Sequence, residues 1–276
     1  MSRPRPRASW GDRLGVLALA AVAAFALVLL VAPSLIVIAI SFEPRALFSF
    51  PPSGFSLRWY HGLFANRQLM DSLVVSLRIA AWVTAACVAL GVPAAFACVR
   101  GRFPLKAAVN AFLVSPQMMP GMVIGIAMLF FGAYFAFRAS DQMLILSLSV
   151  FCLPFVIRIT MARLAALDPQ LDEASANLGA GKLATFFRVT LPQLGAAVVA
   201  ATAFTFIEAF DNVTVALFTS DVRGRPLPVE LYYLVQNDST PMIAAISALQ
   251  VMLSFLVMLI LARTIGLERL GHTAGQ

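Results

Sequence analysis

Six runs of apolar residues, at 14–40, 72–99, 107–131, 143–159, 194–218 and 243–265, constrain this chain more than any other feature. A helix needs about 20 apolar residues to cross a bilayer. Inside hydrocarbon no water pairs with backbone N–H and C=O groups, so each run has to satisfy its own as a helix. Composition agrees: 61% of the residues are apolar and 12% charged, against about 45–50% and 25% in an average soluble domain. A chain of 276 residues cannot enclose that much apolar surface in one core. The numbers exclude a cytosolic globular enzyme, a secreted disulfide scaffold and a disordered chain. What they predict is an all-α membrane protein with six transmembrane helices. The third run holds Pro116, Pro120, Gly121 and Gly125, where a kink or break is expected, and the short fourth run holds Pro154.

Lys and Arg decide the orientation. With the N-terminus inside, thirteen of the twenty cations fall on the inner segments and six on the outer ones, Arg78 lying within the second run. Positive residues mark cytoplasmic loops, so both termini are expected in the cytoplasm. The net charge of +7 then reflects topology rather than a nucleic-acid partner. The segment 1–13 is a basic N-terminus, and the run at 14–40 exceeds the h-region of a signal peptide, which makes it an uncleaved anchor; cleavage after this alanine-rich run is the alternative. An external loop at 41–71 follows, then a five-helix core at 72–265 and a cytoplasmic tail at 266–276. The external loop carries Phe48, Phe50, Pro51, Pro52, Trp59 and Tyr60, as a packed cap or an interfacial segment would. Cys87, Cys98 and Cys152 lie in apolar runs without metal-ligand spacing and read as small buried hydrophobes. His61 and His272 form neither a zinc motif nor a nucleophile–base pair, so neither a metal nor a catalytic site is expected.

The inner loop at 160–192 is too long for a simple connector. Asp168 before Pro169 is a helix start, and Asp172 and Glu173 favour the positive end of the helix dipole. Leu171, Ala174 and Leu178 make one apolar stripe, and Gly179 supplies a stop. A second helical stretch at 183–189 leads into the fifth run. Gly179-Ala-Gly-Lys182 is not a phosphate loop, because Ala176 stands where the first Gly belongs and Leu183 where Ser or Thr belongs.

Glu173-Ala174-Ser175, three residues, Gly179, nine residues, then Val189, one residue and Leu191-Pro192 resembles the EAA loop of binding-protein-dependent ABC importer permeases. Every spacing matches, with Ser175 for Ala and Val189 for Ile as departures. Softer likenesses point to the spermidine/putrescine-type branch: Ser56-Leu-Arg-Trp-Tyr60, the stretch from Pro116 to Gly125, the stretch from Phe206 to Val213, and Leu227-Pro228-Val229. The resemblance implies a type I importer permease fold with a cytoplasmic coupling helix between helices 4 and 5. It further implies two copies of an ATP-binding subunit that hold ATP and Mg, a second and different permease subunit, a periplasmic solute-binding protein, and a bacterial inner membrane around the chain. On that reading the chain binds no cofactor and is no enzyme. Glu173, Ala174, Ser175, Gly179, Val189, Leu191 and Pro192 would couple it to the ATPase.

Glu208, Asp211 and Asn212 fall on one face of the fifth run if it is a single helix. A carboxylate at bilayer depth costs about 2.5–3.5 kcal/mol on insertion scales and normally faces a cavity or partner. Two readings stand open: an anionic lining for a cationic substrate, such as a polyamine, or an ion pair between Asp211 and Arg78 at similar depth. A different small solute is the alternative cargo. A gradient-driven secondary transporter is the alternative class, although no internal repeat supports it.

Overall fold

The computed structural model describes residues 10–136, 140–221, 224–237 and 240–264. Arg138, Arg223, His272, the first nine residues and the tail at 266–276 lie outside the described residues. Among the described residues every regular element is helical. In chain order these are α1 (Trp10–Ile40), α2 (Arg58–Ala65), α3 (Arg67–Arg100), α4 (Lys106–Val114), α5 (Gly121–Tyr134), α6 (Asp141–Ala166), α7 (Gln170–Asn177), α8 (Lys182–Thr185), α9 (Leu191–Gln193), α10 (Gly195–Phe210), α11 (Ala216–Thr219), α12 (Leu227–Asn237) and α13 (Met242–Thr264).

Four helices are long and apolar enough to cross a bilayer: α1, α3, α6 and α13. Two more spans arise if each bent helix pair counts as one, Lys106–Met118 with Gly121–Tyr134 at 105° and Lys182–Gln193 with Gly195–Phe210 at 74°. The first bend falls between Pro116 and Pro120, where the sequence places a break, because proline removes a ladder donor and its ring clashes with the preceding turn. The fifth run departs from expectation. It is not one helix over 194–218, since α10 stops at Phe210 and the chain restarts as α11.

Two compact units divide the chain. The larger, Phe64–Asp238 with Met252–Gln276, is built on α3, α6 and α10. Asn66 caps α3 by accepting from Leu69 N at 3.2 Å, and Ser140 caps α6 through Met143 N at 3.4 Å. Ile79, Ala80, Val83 and Cys87 of α3 meet Leu144, Leu148, Cys152 and Val156 of α6 and Ala201, Ala209 and Phe210 of α10 in one buried cluster. Cys87, Cys98 and Cys152 are all buried. The short polar residues Ser76 and Ser147 are buried with partners, Ser76 Oγ accepting from Leu227 N at 2.7 Å and Ser147 Oγ donating to Met143 O at 2.7 Å. Gly121 and Gly125 give α5 a flat face against α11. A Cβ on Gly125 would stand 3.0 Å from the Phe218 ring, 3.1 Å from Thr214 O and 3.2 Å from Val215 Cα.

The smaller unit, Met1–Leu63 with Ser239–Val251, holds α1 and the loop after it. None of the apolar window of α1 is buried within the chain, as befits a surface meant for lipid or another apolar partner. The loop folds around Glu43, which is wholly buried. Its carboxylate accepts from Ser53 N at 2.7 Å, from the Ser53 hydroxyl and from Arg45 N at 3.1 Å. Its main-chain oxygen accepts from Trp59 Nε1 at 2.7 Å. Phe42 stacks on Phe55 at 4.6 Å, and Ser41 and Tyr60 share a hydrogen bond of 2.7 Å.

Two consequences can be measured. Gly125→Leu should lower stability in detergent by about 1–3 kcal/mol or more, because backbone atoms cannot yield to the new side chain; Gly15→Leu, with nothing within 4 Å, is the neutral control. The Ser53 hydroxyl and amide hold the Glu43 carboxyl below its ordinary range. A carboxyl that titrates lower when folded contributes fully above its unfolded range, and the contribution is lost as pH falls through the folded value. Trp59 emission, read with Trp10 and Trp82 changed to Phe, should therefore shift to the red in acid below the ordinary carboxylate range, and at neutral pH in Glu43→Gln.

Candidate functional site

α7 and its flanks carry the first candidate site. The Asp168 carboxylate accepts from Gln170 N at 2.9 Å, so the predicted start operates one residue later than the sequence suggests, with Pro169 at the cap position. Asp172 and Glu173 occupy the first turn, at the positive end of the dipole. At the other end Gly179 adopts φ +83°, its N–H donates to Ala176 O at 2.9 Å, and Ala180 N donates to Ser175 O at 3.1 Å. This is a Schellman stop, and the left-handed backbone is why Gly stands there. The next stretch is α8 followed by a wider turn over Phe186–Thr190, then Leu191-Pro192 opening α9.

The orientation of α7 reverses the usual arrangement of an amphipathic helix. Its polar face turns inward: Asp172 lies 3.1 Å from Arg100 Nε and accepts from Thr190 Oγ1 at 2.9 Å, and the Ser175 and Thr185 hydroxyls are 3.0 Å apart. Its apolar stripe turns outward, Leu171 being 45% and Leu178 89% exposed, beside Leu183 and Phe187 at 75% and 61%. Glu173 and Ala174 are exposed on the same helix. Of the remaining motif residues, Ser175, Val189 and Leu191 are half-buried and Pro192 is exposed.

The second candidate site is the end of α10. Glu208 is half-buried in its last turn. Asp211 is the exposed C-cap, donating its N–H to Ile207 O at 3.0 Å. Asn212 lies beyond the helix, and its Oδ1 accepts from Val215 N at 2.9 Å, which starts α11. The three residues therefore do not share one helix face. Asp and Asn side chains compete for backbone groups and favour a turn, so the pair ends the helix that hydropathy alone would continue. Asn212 is occupied as a cap.

Arg78 donates to the carboxylate of Asp141 in the first turn of α6. The structure gives Arg78 an ion pair with Asp141. Asp141 precedes the fourth apolar run, which starts at 143, and α6 starts two residues earlier than that run. Sequence reading also missed Arg100, Thr190 and Thr185 as partners of α7, since each is an ordinary residue on a different element. At the other end of α3, a cavity of about 300 Å³ is lined by Arg67, Gln68, Asp71, Arg225 and Glu230, with Gln68 Nε2 donating to Glu230 Oε1 at 2.5 Å.

Residues 87–266 match the family model described as binding-protein-dependent transport system inner membrane component. The spermidine/putrescine transport system permease protein PotC of Haemophilus influenzae is 31% identical over 212 residues, 77% of this chain and 82% of that one. The putrescine transport system permease protein PotI of Escherichia coli K12 is 31% identical over 227 residues, 80% of each chain. The molybdenum transport system permease protein ModB of Escherichia coli K12 is 28% identical over 224 residues, 73% of this chain and 96% of that one. Among solved structures, a chain of a bacterial ABC transporter that imports the acidic polysaccharide alginate superposes with a TM-score of 0.70 at 14% identity, covering 95% of this chain and 99% of that one. A chain of the inward-facing MetNI methionine ABC transporter superposes with a TM-score of 0.63 at 20% identity, covering 72% and 97%. These two likenesses concern the fold.

Proposed function

The chain belongs to the family of binding-protein-dependent transport system inner membrane components, and from that premise we propose that it is the permease subunit of an ATP-driven importer of polyamines or related small organic cations. It is a transport component, not an enzyme. One observation carries the ATP-driven reading: α7 is fixed by its polar face and presents its leucines outward. An exposed apolar stripe rimmed by polar residues outside the membrane is a protein-docking surface. Glu173, Ala174 and the Leu171/Leu178 stripe are the face we assign to an ATP-binding subunit, which holds ATP and Mg. Ser175, Gly179, Val189, Leu191 and Pro192 shape and attach that helix. Two such subunits, a second permease and a periplasmic binding protein complete the assembly. The excess of Lys and Arg at the α7 end supports cytoplasmic placement for that end and for both termini, in the inner membrane of a bacterium.

Import would proceed by alternating access, in which nucleotide-driven movement of α7 biases the spans between two packed states. The cargo reading rests on two supports: the relatives named for spermidine and putrescine, and the carboxylates of Glu208 and Asp211 at the end of α10. A flexible dication suits such a site, since a unit charge pair at about 4 Å is worth about 4 kcal/mol at an effective dielectric near 20. Import of a different solute is the second reading, favoured by the likeness to a molybdenum transport permease.

The deciding measurement reconstitutes the chain with its ATPase, second permease and binding protein in lipid and follows ATP hydrolysis with added solutes. Stimulation by putrescine or spermidine supports the proposal, stimulation by other solutes alone retains the importer and removes the cargo, and failure of the ATPase to associate removes both. In that system Glu173→Lys should insert normally but lose the ATPase. Gly179→Val should uncouple uptake, because a β-branched residue at φ +83° costs about 1–3 kcal/mol and unwinds the stop of α7. Glu208→Gln should raise the half-saturating putrescine concentration by about tenfold, a loss of about 1.4 kcal/mol, without altering ATPase binding.

A further inference from the structure

One carboxylate of α7 reaches two other elements of the larger unit at once. Asp172 Oδ2 lies 3.1 Å from Arg100 Nε, while Oδ1 accepts from Thr190 Oγ1 at 2.9 Å. Arg100 is the last residue of α3. Its Nη2 also donates 2.9 Å to Leu167 O, the residue that ends α6. Thr190 closes the wide turn before α9 and is 1% exposed. From there Leu191-Pro192 runs into the 74° bend that begins α10. Asp172 therefore meets the end of α3 and the turn that leads through α9 into α10, and the same Arg100 ties in the end of α6.

The geometry points to Asp172 as a positioning residue that locks α7 to α3 and to the turn leading into α10, so that a push on α7 moves the core helices instead of tilting α7 alone. This inference rests on the reading of α7 as the ATPase-docking helix. Both oxygens of the carboxylate are engaged in different directions, and the Arg100 and Asp172 side chains are only 19% and 23% exposed, so solvent does little to screen the ion pair. The fork of Arg100 is planar and rigid, which suits a strut better than a flexible ammonium would. Ser175 and Thr185, 3.0 Å apart, pin the same face of α7 one turn further on and keep it from pivoting about Asp172. Sequence reading credits Asp172 only with favouring the helix dipole, a role that an Asp at any first-turn position fills.

The test uses the full permease with its buried cysteines replaced by Ala and spin labels at Ala176 on α7 and Leu90 on α3. In the chain with Asp172 intact, the α7–α3 distance distribution should be narrow and should keep its mean when the ATPase is bound and a non-hydrolysable ATP analogue is added. Asp172→Ala and Arg100→Ala should each broaden it, and the double variant should be no broader than Asp172→Ala alone, which already removes both contacts of the carboxylate. Should Asp172→Ala misassemble, Thr190→Val against Thr190→Ser answers the same question with labels on α7 and at Ala200 of α10: Val, which keeps the shape but lacks the hydroxyl, should broaden that distribution, and Ser should restore it. Distributions as narrow as in the parent chain for Asp172→Ala, or for Thr190→Val, overturn the inference, as does a double variant whose effects add. The distance widths are read without nucleotide or ATPase, so they stand apart from the docking proposal, which fails separately if Glu173→Lys retains the ATPase.

Discussion

Every span of this protein is governed by the cost of an unpaired backbone group in hydrocarbon, several kcal/mol each. The chain nevertheless interrupts its helices within or at the edge of its apolar runs, and each interruption is repaired locally. At the first, Met119 N reaches Pro116 O at 3.1 Å and Val123 N reaches Pro120 O at 2.9 Å. At the second, Leu194 N reaches Thr190 O and Val198 N reaches Leu194 O, at 3.1 and 2.9 Å. At the third, Asp211 N reaches Ile207 O at 3.0 Å and Asn212 Oδ1 takes Val215 N. The first and third also cover each other. A Cβ on Gly121 would stand 2.6 Å from Thr214 Oγ1, so the broken ends of two spans lie against one another through a face with no side chains.

The same constraint sorts the polar side chains. Along α3, α6 and α10 the buried polar residues are the small hydroxyl ones: Ser147 returns a hydrogen bond to Met143 O, Ser76 takes one from Leu227 N, and the hydroxyls of Thr84, Thr160 and Thr205 are buried without a hydrogen-bond partner among the described residues. Charges are kept to the ends of these helices or are given partners: Arg78 with Asp141, Arg100 with Asp172, Arg158 with the Gln117 carbonyl oxygen at 2.9 Å. Glu208 and Asp211 stand where α10 gives way to a turn, the part of a span at which an ion can keep water or meet a charged cargo.

Function follows from the two ends of this arrangement. At one end α7 is held by charge and hydroxyls and leaves its leucines outside, the face proposed for the ATP-binding subunit. At the other end of α3, α12 is fastened by Ser76 to Leu227 N and by Gln68 to Glu230. The core helices between them are packed closely enough that movement at one end has to be taken up by the bundle as a whole. For instance, a Cβ on Gly91 would stand 2.9 Å from Val156 Cγ1. A transport subunit that is moved by one partner and served by another needs such a connection.

The sequence alone determined the helical class, the break at Pro116–Pro120 and the stop of α7, because each follows from the period of apolar residues or from a local backbone requirement such as φ +83° at Gly179. It also placed Leu171, Ala174 and Leu178 on one stripe. Only the tertiary structure decided that this stripe faces outward, that Arg78 meets Asp141 across 63 residues of chain, and that Asp172 joins elements ending at Arg100 and Thr190. It decided too that Asp211 and Asn212 end α10 rather than line it. The reason is physical. Periodicity says which residues share a face, whereas the neighbour that face meets depends on long-range packing, and in a chain so rich in leucine and alanine many packings satisfy the same pattern until a few polar pairs choose among them.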